Sequence, residues 1–117
     1  MTVAGHRPER LAEEIHHELS LMVTGELKDP RLLAVIGVTE VRMAPDGRTV
    51  RAFVQLGGTE EERDEAMRGL KAAAGFVRHE LIERLKLRRA PEVLFIPDTS
   101  EEYGNRIDEL LKKVKEE

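Results

Sequence analysis

Apolar residues recur every three or four positions in two long stretches of this 117-residue chain, 8–27 and 59–87. That spacing places them on one face of a helix, so each stretch is predicted to form an amphipathic helix. Pro8 suits a first helical turn, and Thr59 followed by Glu62 has the pattern of a capping box. The apolar positions of the first stretch are Leu11, Ile15, Leu19, Met22 and Val23, and those of the second are Met67, Leu70, Ala74, Val77, Leu81 and Leu85.

Between these helices, residues 33–44 and 49–58 are rich in Val, Ile and Thr and alternate in polarity, which predicts two strands. The alternation is imperfect near Gly37, where a bulge is expected. The segment APDGRT joins the strands and predicts a tight turn, because proline presets one corner and Gly47 supplies a positive φ. A third strand is predicted for EVLFI, which lies between Pro91 and Pro97.

Gly75 follows three alanines inside the second helical stretch, and glycine costs about 1 kcal/mol against alanine there. We therefore predict an interruption near this position. The predicted order is helix, strand, strand, helix, interrupted helix, strand and a final amphipathic helix. It indicates an α+β fold with helices on one face of a three-stranded sheet. The residues expected on the open sheet face are Glu40, Arg42, Arg51 and Gln55.

A length of 117 residues indicates one domain with a modest core. Because aromatic residues make up only 3% of the chain, that core is expected to consist mainly of Leu, Val, Ile, Ala and Met. Charged residues amount to 36%, no apolar run is long enough to span a bilayer, and the N-terminus lacks the apolar middle of a signal peptide. With no cysteine there is neither a disulfide framework nor a thiolate site. We expect a cytoplasmic protein without a membrane partner.

An enzyme is disfavoured because no catalytic or metal-binding constellation is evident. Adjacent residues His16 and His17 point about 100° apart on a helix and cannot share a metal. Ser20 and Ser100 occupy positions with ordinary structural roles on a helix and at a helix cap. No glycine-rich phosphate loop is present. The expectation is no catalytic residue, no metal, no cofactor and no small-molecule substrate.

The charge of the chain is segregated, although its sum is only −4. Residues 60–65 carry a net charge of −4, residues 76–90 carry +3, and residues 97–117 carry −3. Such a compact basic block suits the phosphates of nucleic acid. Phe53 and Phe76 are the aromatics available for stacking, so backbone and shape recognition of folded RNA is favoured over base readout.

Several segments together resemble the ribosome-binding factor A family, bacterial assembly factors of the small ribosomal subunit. They are RPERLAEEIHHELS near the start, KDPRL at 28–32, FVQLGG at the hairpin end, AAAG at 72–75 and RHELIERLKLRRAPEVLFIPDTS at 78–100. The resemblance implies a type II KH-like domain in which an alanine-x-glycine kink replaces the GxxG loop. It also implies binding to the small (30S) subunit and its 16S rRNA during late maturation, with support for 5′-end processing and growth in the cold.

Transferred to this chain, the resemblance implies a flexible segment 1–6, an RNA-binding domain 7–99 and a C-terminal amphipathic helix or tail 100–117. A monomer is expected. The RNA-binding candidates are the kink residues Ala73, Ala74 and Gly75, the cations Arg78, His79, Arg84, Lys86, Arg88 and Arg89, and, beside the first helix, Lys28 and Arg31.

Two other function classes remain open from the residues. One is a protein-interaction adaptor that uses the exposed sheet face or the C-terminal stripe of Ile107, Leu110, Leu111 and Val114. The other, an enzyme of RNA processing, is disfavoured by the missing acid–base and metal groups. Salt dependence separates the first from RNA binding, since phosphate contacts weaken steeply with ionic strength.

Overall fold

The structure, a computed structural model, describes residues 8–99. The predicted final helix, like the segments 1–6 and 100–117, lies outside these residues. No helix within 8–99 is both long and apolar enough to cross a membrane. The elements are α1 (Pro8–Leu21), a π-helical turn (Met22–Glu26), a 3₁₀ turn (Pro30–Ala34), β1 (Val35–Met43), β2 (Thr49–Leu56), α2 (Glu60–Leu85) and β3 (Glu92–Pro97).

The three strands form one sheet in the order β1-β2-β3. β1 and β2 are an antiparallel hairpin, whereas β3 returns parallel to β2 after the crossover through α2. The hairpin turn is as predicted: Asp46 accepts from the backbone N–H of Arg48, and Gly47 has φ 71°. The predicted irregularity at Gly37 is confirmed, and a second register shift follows between Val38 and Glu40.

Helices and sheet bury one core between them, on the face of β2 formed by Val50, Ala52 and Val54. The apolar stripe of α1 is buried as predicted, and α2 contributes Leu70, Val77 and Leu81. Alternation along the sequence predicts that Thr39 shares one face of β1 with Val41 and Met43. This prediction is wrong, because the second register shift leaves Thr39 exposed. Its hydroxyl instead bonds the carboxylate of Asp98 at 2.6 Å.

The first helical stretch ends at Glu26, close to the predicted end at Leu27, but its last turn is not α-helical. α1 gives way at Met22 to a π-helical turn, whose wider winding buries the consecutive residues Met22 and Val23. His16 ties α1 to the sheet, because its Nε2 lies 2.6 Å from the carbonyl oxygen of Val38. After Leu27 the 3₁₀ turn packs against α2, where Leu32 and Arg31 lie beside Gly69.

The predicted interruption of the second helix is wrong. α2 is one helix of 26 residues that runs through 73–75, and Gly75 does not have a positive φ. The alanines favour helix, and packing of Leu70, Val77 and Leu81 outweighs the cost of about 1 kcal/mol for one glycine. The predicted capping box is confirmed, with Thr59 and Glu62 each accepting from the other's backbone N–H.

Candidate nucleic-acid interface

The last turns of α2 and the loop that follows form the most basic part of the described chain. α2 ends where Lys86 adopts a left-handed conformation, φ 55° and ψ 45°, and its N–H bonds the carbonyl of Ile82. Leu87 and Ala90 are buried, which pins the loop to the domain, while Arg88 and Arg89 between them are exposed. The backbone thus presents two arginines outward from a fixed frame.

Arg78 and His79 lie on α2 about two turns before Lys86. The guanidinium of Arg78 donates to the carbonyl oxygen of Ala90 at 3.4 Å, which places the loop beside this turn of the helix. Both side chains are exposed. We call the five exposed groups the C-terminal basic cluster; they are Arg78, His79, Lys86, Arg88 and Arg89.

Arg84 does not belong to this cluster, although the sequence suggests it. Its guanidinium bonds the carboxylates of Glu26 at 2.6 Å, Glu18 at 3.1 Å and Glu80 at 3.1 Å. These bonds, led by that to Glu26, raise the pKa of Arg84 above its already high value. The side chain is 27% exposed, so its donors are directed into the protein. This placement argues against a phosphate-binding role for Arg84.

Lys28 and Arg31 are both exposed, and Arg31 lies apart from the C-terminal basic cluster. Arg31 is held by Asp29 through bonds of 2.7–3.1 Å, and this pairing lowers the pKa of the Asp29 carboxyl. The Cβ of Arg31 packs against α2 at Gly69. Gly69 is roughly 25 Å along the helix from Lys86, which separates Arg31 from the cluster. Lys28 instead follows Glu26, whose carboxylate bonds Arg84 near the end of α2.

The three small residues 73–75 have different surroundings. Ala73 packs against the core, Ala74 lines a groove between α2 and β3, and a Cβ at Gly75 would meet nothing within 4 Å. Phe76 next to the glycine is 52% exposed and shares a helix face with His79. An exposed aromatic beside bare backbone is a platform on which a base can stack.

Sequence reasoning missed the groove between α2 and β3. Its cations, Arg68 and Lys71, follow the acidic run 60–65, so averaging charge along the chain conceals them. The groove also depends on the strand order, which places β3 at the edge of the sheet next to α2 and which the sequence pattern does not specify. Within residues 8–99, no group of three or more metal-ligating side chains converges.

Comparison with known proteins agrees with this geometry. The chain matches the family model for ribosome-binding factor A over residues 7–111. Ribosome-binding factor A of Caldanaerobacter subterraneus is 43% identical over 93% of this chain and 89% of its own length.

Solved structures show the same KH-like arrangement. The crystal structure of ribosome-binding factor A from Thermus thermophilus has a TM-score of 0.68 and 28% identity, covering 78% of this chain and 94% of that one. A homology model of the T. thermophilus factor has been fitted into the cryo-EM map of a complex with the 30S subunit. It has a TM-score of 0.64 and 29% identity, and the match covers 77% of this chain and 93% of that one. On the extent of these matches, the chain belongs to the ribosome-binding factor A family.

Proposed function

We propose that this protein binds the small ribosomal subunit and contacts its 16S rRNA through the C-terminal basic cluster. The observation that carries the proposal is the frame of buried Leu87 and Ala90, which directs Arg88 and Arg89 outward next to Arg78. A fixed backbone frame lowers the entropic cost of binding RNA phosphates, because only the side chains must then be ordered. The relative fitted into a 30S complex supports the small subunit as the partner.

The composition of the surface favours recognition of folded RNA by shape and backbone. Phe76 is the exposed aromatic beside the cluster, and it offers one stacking surface rather than a series. We infer that the protein acts by binding during late maturation of the subunit, as a monomer and without catalysis. In this role it supports processing of the 5′ end of the 16S rRNA precursor and growth in the cold.

A triple charge reversal tests the surface. Lys86→Glu with Arg88→Glu and Arg89→Glu is expected to abolish cosedimentation with immature small subunits, without unfolding the domain. Each lost phosphate contact is expected to reduce the slope of log affinity against log salt by about one at most. Arg84 stays intact in this variant, because its removal would disturb the fold.

The matched control reverses three exposed arginines elsewhere: Arg10→Glu, Arg48→Glu and Arg51→Glu. This control changes net charge by the same amount and is expected to retain cosedimentation. If the first variant still cosediments with small subunits and the control does not, the C-terminal basic cluster is rejected as the binding surface. A 16S rRNA precursor with a normally trimmed 5′ end in cells lacking the protein would reject the processing role.

One observation favours the adaptor function as a second candidate. On the open sheet face Leu94 is 42% exposed, and the guanidinium of Arg42 lies 5.8 Å from the ring centre of Phe53. Such an apolar and cationic face suits a protein partner. Binding to ribosomal particles that is insensitive to salt, and lost on Leu94→Glu, would favour this function over RNA binding.

A further inference from the structure

An apolar groove of about 370 Å³ runs between α2 and β3. Its apolar lining consists of Met67 and Ala74 from the helix and of residues 93–95 from the strand. Arg68 and Lys71 add two positive charges. Arg68 has a loose pairing with Glu65 at 3.7 Å, in which both side chains are more than half exposed.

The groove also contains an open strand edge. The N–H of Glu92 bonds Arg48, and the N–H of Asp98 bonds Val54, so every second residue of β3 directs its backbone to β2. The intervening residues, Val93 and Phe95, direct their backbone N–H and C=O groups to the groove. Native proteins usually cover such an edge, because it otherwise pairs with other chains.

The chain itself leaves the sheet next to this groove. After β3, residues 97–99 line a second cavity of about 390 Å³ at the start of α2, together with Glu60 and Asp64. Met67 lines both cavities, so the groove leads to the point where the chain continues. Residues 100–117 follow there, and Gly104-Asn105 is a favourable turn sequence.

The chemistry of this following segment matches the groove. Its apolar residues, Ile107, Leu110, Leu111 and Val114, have helical spacing and would form one apolar face that suits the apolar lining of the groove. A helix over 107–114 would be about 12 Å long, and Met67 to Ala74 spans about 10 Å of α2. The family match extends to residue 111 and so includes most of this stripe.

We propose that residues 105–114 turn back as an amphipathic helix and pack into the groove between α2 and β3. The apolar stripe covers the groove and the edge of β3. The C-terminal segment thereby closes a surface that would otherwise pair with other chains. This docking is independent of the RNA surface, which lies at the other end of α2.

A nitroxide label tests the docking in the full chain, which has no native cysteine. Lys112→Cys places the label opposite the apolar stripe. Selective broadening of the amide signals of Lys71, Ala74 and Phe95 in the NMR spectrum is expected. Broadening centred on Arg42 of β1, two strands away from β3, or no selective broadening, would overturn the proposal.

Further variants and mixing experiments identify what occupies the groove. Leu110→Glu with Leu111→Glu is expected to abolish the broadening, whereas Lys113→Glu, a change off the stripe, is expected to preserve it. Broadening that survives the double substitution would contradict the proposal. If isotope-labelled protein without nitroxide is broadened by mixing with unlabelled nitroxide protein, a second copy occupies the groove. If groove signals shift only when oligouridine is added, the occupant is RNA, and both results overturn the proposal.

Discussion

Lys86 combines an unfavourable backbone conformation with an exposed charge. Among residues 8–99 it is the non-glycine residue with a positive φ, at a helix end where glycine is usual. Lys86→Gly is therefore expected to raise the free energy of unfolding by about 1 kcal/mol. The same change removes a cation from the C-terminal basic cluster, so it is expected to weaken binding to small subunits. Urea unfolding and cosedimentation measure the two effects.

Lys86→Ala is the matched control, because it removes the charge but keeps a Cβ in the left-handed conformation. It is expected to weaken binding as much as the glycine variant without the gain in stability. Equal stability of the two variants would show that the conformation of residue 86 carries no strain. Unchanged binding in both would remove Lys86 from the proposed RNA surface.

The capping box gives a pH dependence at the level of one carboxyl group. The N–H and hydroxyl of Thr59 lower the pKa of Glu62 below its usual 4.5. The pKa of Glu62 is lower in the folded protein than in the unfolded chain, so its ionised carboxylate stabilises the fold. This stabilisation is present above about pH 4.5 and is lost as the pH falls through the folded pKa. Glu62→Gln keeps an acceptor at this position. Its thermal midpoint is expected to fall less than that of the unmodified protein between about pH 5 and 3.

At the scale of elements, two glycines of α2 differ in what surrounds them. A Cβ at Gly75 meets open space, whereas one at Gly69 would lie 3.0 Å from Leu32 and 3.1 Å from Arg31. Gly75→Ala is expected to raise the free energy of unfolding by about 1 kcal/mol, because alanine favours helix. Gly69→Ala is expected to lower it, since the 3₁₀ turn must move away. Denaturant titration of both variants compares them, and loss of stability in Gly75→Ala would contradict a continuous helix.

The elements were largely predictable from the sequence, because the local signals agree with the fold. The capping box at Thr59, the turn at Gly47 and the bulge at Gly37 each depend on residues close together in the chain. The predicted interruption at Gly75 is wrong, since the local propensity of glycine does not include the tertiary packing that opposes it. The π-helical turn depends on how Met22 and Val23 reach the core, which periodicity cannot specify.

At the scale of the molecule, the candidate site was predictable only in part. Which cations are exposed and which are paired depends on residues that are distant in the sequence. Glu80, four residues before Arg84, is visible from the sequence, but Glu18 and Glu26 lie 66 and 58 positions away. Only the packing of α1 and the π-helical turn against α2 brings these carboxylates together. Charge counting therefore included Arg84 among the exposed cations, and it overlooked Lys71 beside an acidic run.

Arg84 joins α1, the π-helical turn and α2 through its carboxylate partners. We therefore expect its removal to destabilise the fold. Arg84→Ala leaves Glu18, Glu26 and Glu80 close together without their cation. It is expected to lower the free energy of unfolding by about 1–3 kcal/mol, because charged hydrogen bonds are lost and like charges remain. Arg68→Ala, which removes an arginine with one loose partner, is expected to change it by less than about 0.5 kcal/mol. Urea unfolding of the two variants measures this difference.

Binding separates this structural role from the RNA-contacting role that the sequence suggests. At a temperature where Arg84→Ala remains folded, its cosedimentation with small subunits is expected to match that of the unmodified protein, since the guanidinium faces carboxylates rather than solvent. The salt dependence of its affinity is expected to stay the same for the same reason. An Arg84→Ala variant of normal stability that no longer cosediments would return Arg84 to the binding surface. It would also show that RNA displaces the three glutamates, so that the contacts joining α1 to α2 open on binding.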